Sequence, residues 1–296
     1  MTHRATLLLT SVLASGCIGV RNVEPGWLNP DTVEEDESAG GGSNSGGAEE
    51  VEVEEGCDED DIDRSGGFAI EGTVYDIDLD DIPADPESLC AYALDPTPVL
   101  TGGEPIYMAG SQVCDNGDYV ITGLNDPPTI GMFVSIDDCE GNPDTVMRSA
   151  TGVDYDDVKD LGEGESHTEF RAYLINNEFA QAIGDDLDGF DGDVLEIGFM
   201  SGFVRDVQEQ PVDGAALACG GCVPTFYYLD ADPEDGLFTT DGTLNTQTDA
   251  EAAAMFVTPN APIFTYEASD DGTHTWDSQL FGSLPGYASF LLFNAI

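Results

Sequence analysis

Gly72-Thr73-Val74-Tyr75-Asp76 returns 130 residues later as Gly202-Phe203-Val204-Arg205-Asp206. A chain that repeats such a unit is constrained to build two similar bodies. Each copy reads as a strand whose valine points inward and which breaks at an aspartate suited to a turn. Short apolar or alternating runs follow each copy. They occupy residues 68–76, 89–94, 118–121 and 130–136 in the first set, and 197–204, 215–218, 225–229, 254–258, 263–266 and 287–293 in the second. Gly, Pro, Asp and Asn separate the runs, and many short strands with such turns predict a mainly β chain built of sandwiches.

The second copy continues through Gln210-Pro211-Val212-Asp213-Gly214-Ala215-Ala216-Leu217. This stretch resembles the opening of carboxypeptidase-regulatory-like domains, transthyretin-like β-sandwiches of bacterial envelope proteins. There a G-x-V-x-D strand precedes a P-V-x-G-A turn. The first copy carries Asp115-Asn116-Gly117-Asp118-Tyr119-Val120-Ile121-Thr122-Gly123-Leu124. It is similar to that family's hairpin arm, whose glycine permits a positive φ and whose aromatic enters the core. In the second copy Thr248 and Asp249 lead to Phe256 and Val257 with alanine where the hairpin glycine belongs, and Pro285-Gly286-Tyr287 is similar to the family's late turn. The resemblance implies two tandem immunoglobulin-like or transthyretin-like sandwiches. It also implies a binding or scaffolding role, because in carboxypeptidases this module accompanies the catalytic domain and hydrolyses nothing.

Between the copies Phe170, Tyr173, Leu174, Phe179, Ala180, Ile183 and Leu187 suit one face of a helix, which predicts a helical connector. Asn176 or Asn177 could instead cap a shorter one.

Arg4, the apolar run Ala5 to Leu13 and the small residues before Cys17 make a short secretory signal, too short to span a bilayer. Ala14-Ser15-Gly16-Cys17 resembles the lipobox of bacterial lipoproteins, with Ala14 where that family prefers leucine. The resemblance implies cleavage before Cys17 and its acylation, and multiple acyl chains anchor a protein stably. Ile18 rather than an aspartate follows, which by resemblance to Gram-negative sorting points to the outer membrane. Residues 18–56, with Pro25, Pro30, a Gly/Ser/Asn run and two acidic blocks, cannot bury enough apolar surface to fold. They read as a disordered tether with a root-mean-square span of roughly 35 Å. The expected organisation is a signal over 1–16, a lipidated tether over 17–56, a first sandwich over 57–168, a helical and acidic connector over 169–195 and a second sandwich over 196–296.

The chain holds 60 acidic and 7 basic residues, for a formal net charge of −53. Eleven of the acids fall in 18–56, so the excess belongs to the part expected to fold. Self-repulsion of that size needs relief. Three readings stay open: a salty habitat that screens the surface, binding of calcium by clustered carboxylates, or a cationic partner. Nucleic acid is excluded as a partner, since its phosphates require Lys and Arg. An envelope protein or polysaccharide is compatible, and oligomeric state is not read from the sequence.

With Cys17 acylated, six cysteines remain: Cys57, Cys90, Cys114, Cys139, Cys219 and Cys222. An even number in an exported chain predicts three disulfides. Cys219-Gly220-Gly221-Cys222 is the natural local pair, a structural turn rather than a redox unit, and Cys90 with Cys114 and Cys57 with Cys139 is the preferred remainder. A lone C-x-x-C is no zinc site, and His167 and His274 stand apart in the sequence. The best metal candidate is Asp185, Asp186, Asp188, Asp191 and Asp193, interspersed with Gly184, Gly189 and Gly192. An EF-hand frame with Gly189 at its sixth position puts Gly184 first and Leu195 last, so only an irregular calcium loop fits. Asp76, Asp78, Asp80 and Asp81 form a weaker cluster. No nucleophile elbow, H-E-x-x-H, phosphate-binding or dinucleotide-binding glycine motif occurs. The expected function is a non-catalytic, lipid-anchored envelope protein that displays β-sandwiches for binding or scaffolding. Alternatives are a calcium-stabilised adhesion module and a divergent hydrolase using a carboxylate pair.

Overall fold

The computed structural model describes residues 53–54, 57, 62–77, 81–140, 146–187, 189–208, 210–212, 214–229, 238–239, 255–270 and 272–296. Cys17, the rest of residues 17–52 and 55–56 of the expected tether and the 248–249 turn lie outside them, while Val53–Glu54, expected to be disordered, form a strand paired with residues 110–111. In chain order the strands up to the connector are β1 (Val53–Glu54), β2 (Phe68–Asp76), β3 (Leu89–Asp95), β4 (Ile106–Gln112), β5 (Asp118–Leu124), β6 (Met132–Asp138), β7 (Val146–Met147), β8 (Ser149–Val153) and β9 (Ser166–Asn176). Helix α1 (Tyr155–Val158) precedes β9, and α2 (Asn177–Asp186) and α3 (Val194–Ile197) follow it. Then come β10 (Phe199–Arg205), β11 (Ala216–Cys219), β12 (Tyr227–Leu229), β13 (Phe238–Thr239), β14 (Met255–Pro259), β15 (Phe264–Ser269), β16 (Gln279–Phe281) and β17 (Ala288–Asn294).

The strands make three sheets: a ten-stranded one in the order β1-β4-β3-β6-β8-β17-β10-β14-β12-β13, a four-stranded one (β5-β2-β9-β7) and a three-stranded one (β11-β15-β16). The fold is mainly β, as the alternating runs predict. The two pentapeptides take equivalent places. Gly72 is opposite Tyr119 on antiparallel β5 and Phe170 on parallel β9. Gly202 is opposite Phe256 on antiparallel β14 and Leu291 on parallel β17. Val74 and Val204 are both fully buried.

The copies are joined through the large sheet. β17 pairs in parallel with β10 on one side and with β8 on the other, matching Ala288 to Ser149 and Phe290 to Thr151. The large sheet is apolar on both faces, which explains why β10 is buried along its whole length. Val134 and Ile136 of β6 pack with Ile70, Tyr119 and Leu174 of the four-stranded sheet. Phe133 of β6 and Ala150 of β8 face the other way and pack with Leu217, Tyr266 and Phe281 of the three-stranded sheet. A third cluster joins Tyr173 and Ile175 of β9, Ile183 of α2 and Phe199, Phe203 and Phe290 of the central strands. No helix among the described residues is long and apolar enough to cross a membrane.

Two expectations are corrected. Residues 170–176 are strand, not helix, because β9 lies between β2 and β7 and exchanges main-chain hydrogen bonds with both. The shorter helix is the one that forms, and Asn176 caps it by accepting from the Phe179 N–H at 2.8 Å. The disulfides are Cys57–Cys114 and Cys90–Cys139, with Cα atoms 5.4 and 5.0 Å apart, in place of the preferred pairing. Register is the reason. Parallel β1 and β4 match Glu54 to Ser111, so three residues on the chain brings Cys57 beside Cys114. Antiparallel β3 and β6 match Leu89 to Asp138, and the Cys139 N–H donates to the Ser88 carbonyl at 2.9 Å. Cys219 and Cys222 pair locally, as expected.

Candidate functional site

One cavity is a groove of about 930 Å³ whose walls come from both copies. That volume lies toward the upper end of the few hundred to about 1,000 Å³ that ligand pockets span. One wall is β16. Among the described residues it pairs with β15 alone, as an edge strand. The facing wall is α1 with Asp154, Asp156 and Asp157, and the β9 segment from His167 to Arg171.

β9 is irregular where it meets the groove. Ile70 pairs with His167 and Gly72 with Phe170, so β9 carries one extra residue there. Glu169 takes that place with φ of +60°, a left-handed conformation rarely adopted by glutamate. Such a bulge bends the strand and re-aims its side chains, and His167, Glu169 and Arg171 all border the cavity.

The Asp154 carboxylate accepts from the Asp156 N–H at 2.9 Å and caps α1. Asp156 pairs with Lys159. Burial pushes the Asp157 carboxyl up, with Asp154 and Asp156 adding to the shift and His167 opposing it. The two arginines that border the groove lie over aromatic faces. The Arg171 guanidinium lies 5.0 Å from the Tyr75 ring centroid. Arg205 is buried, donates from Nη2 to the Tyr173 hydroxyl at 2.7 Å and lies 5.1 Å from the Phe203 centroid. Tyr173 meets the Tyr75 ring edge-on at 6.2 Å, so equivalent positions of the two copies, Tyr75 and Arg205, meet on one side chain.

A second, smaller cavity of about 370 Å³ is bordered by Asp206, Asp270 and His274. His274 Nδ1 is 2.6 Å from Asp270 Oδ2. Burial works to raise the Asp270 carboxyl, but the His274 ring and the Gly272 and His274 N–H groups outweigh it and hold it below the usual range.

His274 thus pairs with Asp270, and His167 is close enough to Asp157 to oppose the rise of its carboxyl. Among the described residues no three His, Cys, Asp or Glu side chains come together to hold a metal ion. Of the acidic candidates, Asp185 and Asp186 end α2, Asp191 precedes α3 and Asp193 caps α3 by accepting from the Leu195 N–H at 2.9 Å. Asp188 lies outside the described residues, as do Asp78 and Asp80 of the weaker cluster, while Asp76 and Asp81 form an isolated β-bridge. Cys219–Cys222 closes the turn after β11, where the Gly220 N–H donates to the Thr265 carbonyl at 2.8 Å, and no helix begins there. The sequence gives no sign of Glu169 or of the β16 edge. Arg171 could have been found as one of only seven basic residues.

No protein-family profile matches the chain, and no curated protein is significantly similar to it. Solved structures that resemble it include the shaft pilin SpaA of Lactobacillus rhamnosus GG, at 11% identity and a TM-score of 0.21, covering 78% of this chain and 98% of the pilin. A streptococcal ancillary pilin is 10% identical with a TM-score of 0.21, covering 78% of this chain and 63% of that one. The C-terminal fragment of the pilus adhesin SpaC of the same Lactobacillus is 9% identical with a TM-score of 0.17, covering 78% and 98%.

Proposed function

We propose that this chain is a non-catalytic envelope lipoprotein, acylated at Cys17, that holds a binding surface away from the membrane on an acidic tether. The observation that carries the binding role is the groove: a large cavity with walls from both copies, bordered by an edge strand and by carboxylates. The shared sheet and the disulfides supply a stiff frame for it, since two of the bridges staple segments 57 and 49 residues apart. The anchor rests on the signal and the small residues before Cys17, and outer-membrane placement rests on Ile18.

Labelling of expressing cells with a palmitate analogue tests the anchor. The wild-type chain incorporates label and sediments with membranes, and Cys17→Ala removes the label. A wild-type chain that stays unlabelled and soluble would refute it.

A further inference from the structure

Among the described residues β16 has one free edge, and natural proteins blunt such an edge by keeping it short, by charged residues or proline, or by a bulge. At three residues Gln279-Leu280-Phe281 is short, but it carries no charge or proline and its register with β15 has no bulge. The strand borders the groove, and so do Leu100, Leu280 and Ile296, which are 48%, 44% and 73% exposed. An unpaired row of main-chain donors and acceptors beside an apolar rim is the surface to which an extended polypeptide adds as a further strand.

Charge selects the kind of polypeptide. Asp154, Asp156, Asp157, Glu169 and Asp277 border the same cavity. The two arginines that reach it, Arg171 and Arg205, have their guanidinium groups stacked on aromatic rings. The whole molecule adds a strongly negative field, with a formal net charge of −53. We infer that the groove takes an extended segment of another protein in which apolar residues alternate with Lys or Arg. Pairing along β16 fixes its direction, the apolar side chains meet Leu100, Leu280 and Ile296, and the cationic ones meet the carboxylates. This rests on the binding role proposed above and names the partner's chemistry.

The test uses the full chain and three labelled decapeptides: alternating Lys/Val, a Lys/Val peptide of equal charge with prolines replacing every second Val, and alternating Glu/Val. The first binds, the proline peptide binds at least about ten-fold more weakly because it cannot pair as a strand, and the Glu peptide does not bind. Binding slows amide exchange at Gln279–Phe281. Leu280→Lys, which places a blocking charge on the edge, and the double change Glu169→Gln with Asp277→Asn each weaken binding about five-fold or more. These positions are at the surface, so the variants keep the parent melting temperature. Equal binding of both Lys peptides with no protection of β16 would overturn strand addition and leave only the acidic field, and absence of binding would overturn the inference entirely. Palmitate labelling at Cys17 is read separately, so either failure leaves the anchor standing or falling on its own.

Discussion

A Cβ on Gly72 would lie 2.0 Å from the Phe170 carbonyl oxygen, and a Cβ on Gly202 would lie 2.0 Å from that of Leu291. The two glycines therefore do the same work in the two copies, letting a parallel neighbour approach closely. Gly72→Ala and Gly202→Ala should each cost at least about 3 kcal/mol, because backbone must move to admit the methyl group. Gly123 has φ of +70° and open space around its Cβ position, so Gly123→Ala should cost only the backbone strain of about 1–2 kcal/mol. Urea unfolding of the three variants checks the contrast.

The copies differ opposite those glycines. Tyr119 is fully buried and its hydroxyl has no hydrogen-bond partner among the described residues, whereas the equivalent residue of the second copy is Phe256. Tyr119→Phe should leave stability unchanged or raise it by about 1 kcal/mol, since it removes an unsatisfied buried group. Tyr173→Phe should instead cost about 1.5–3 kcal/mol, because it leaves the buried Arg205 guanidinium without that acceptor. Thermal melts of the pair distinguish the two hydroxyls.

Burial pushes the Tyr266 phenol up to about 12, and its hydroxyl donates to the Pro262 carbonyl at 2.7 Å. The folded state holds that proton more tightly than the unfolded chain, whose tyrosines titrate near 10. The resulting stabilisation is complete below about pH 10 and disappears as pH rises from there to about 12. Tyrosinate absorbance should therefore show an exposed set titrating near 10 and a buried set that ionises only as the far-ultraviolet signal is lost. Tyr266→Phe should lower stability at pH 7 but soften the alkaline decline.

The three disulfides should differ in weight. Loops of 57 and 49 residues give roughly 4 kcal/mol each by chain entropy, against about 1.6 kcal/mol for a spacing of three. Paired Cys-to-Ser changes at Cys57/Cys114 and Cys90/Cys139 should therefore lower the melting temperature more than the change at Cys219/Cys222.

Screening should govern the salt response. Sodium chloride should raise the melting temperature at neutral pH, and calcium should add no more than magnesium at equal ionic strength, since among the described residues the acidic side chains do not converge into a metal-holding group. A calcium-specific rise at micromolar to millimolar metal would instead support a coordinated site between Asp185 and Asp193.

The strands legible in the sequence are those with a strong apolar pattern. Residues 68–76 are β2 to the residue, and 287–293 differ from β17 by one position at each end. β8 was hidden because Ser149-Ala150-Thr151-Gly152-Val153 carries small and polar side chains that are nonetheless buried at the centre of a sheet. β9 was misread because Phe170, Tyr173 and Leu174 satisfy a helical spacing, and only the partner strands decide against it. The disulfide pairing depended on register between β1 and β4, and β1 is only two residues long. The groove was illegible for the same reason, since its walls come from segments distant in the chain.

Amide exchange at increasing denaturant tests the shared sheet most directly. If β17 binds β8 and β10 into one body, amides of Val134–Ile136 in the first copy and Ser201–Phe203 in the second lose protection in a single step at the same denaturant concentration, and calorimetry shows one transition. Two separated steps, with the 199–205 amides opening while the 132–138 amides stay protected, would contradict it.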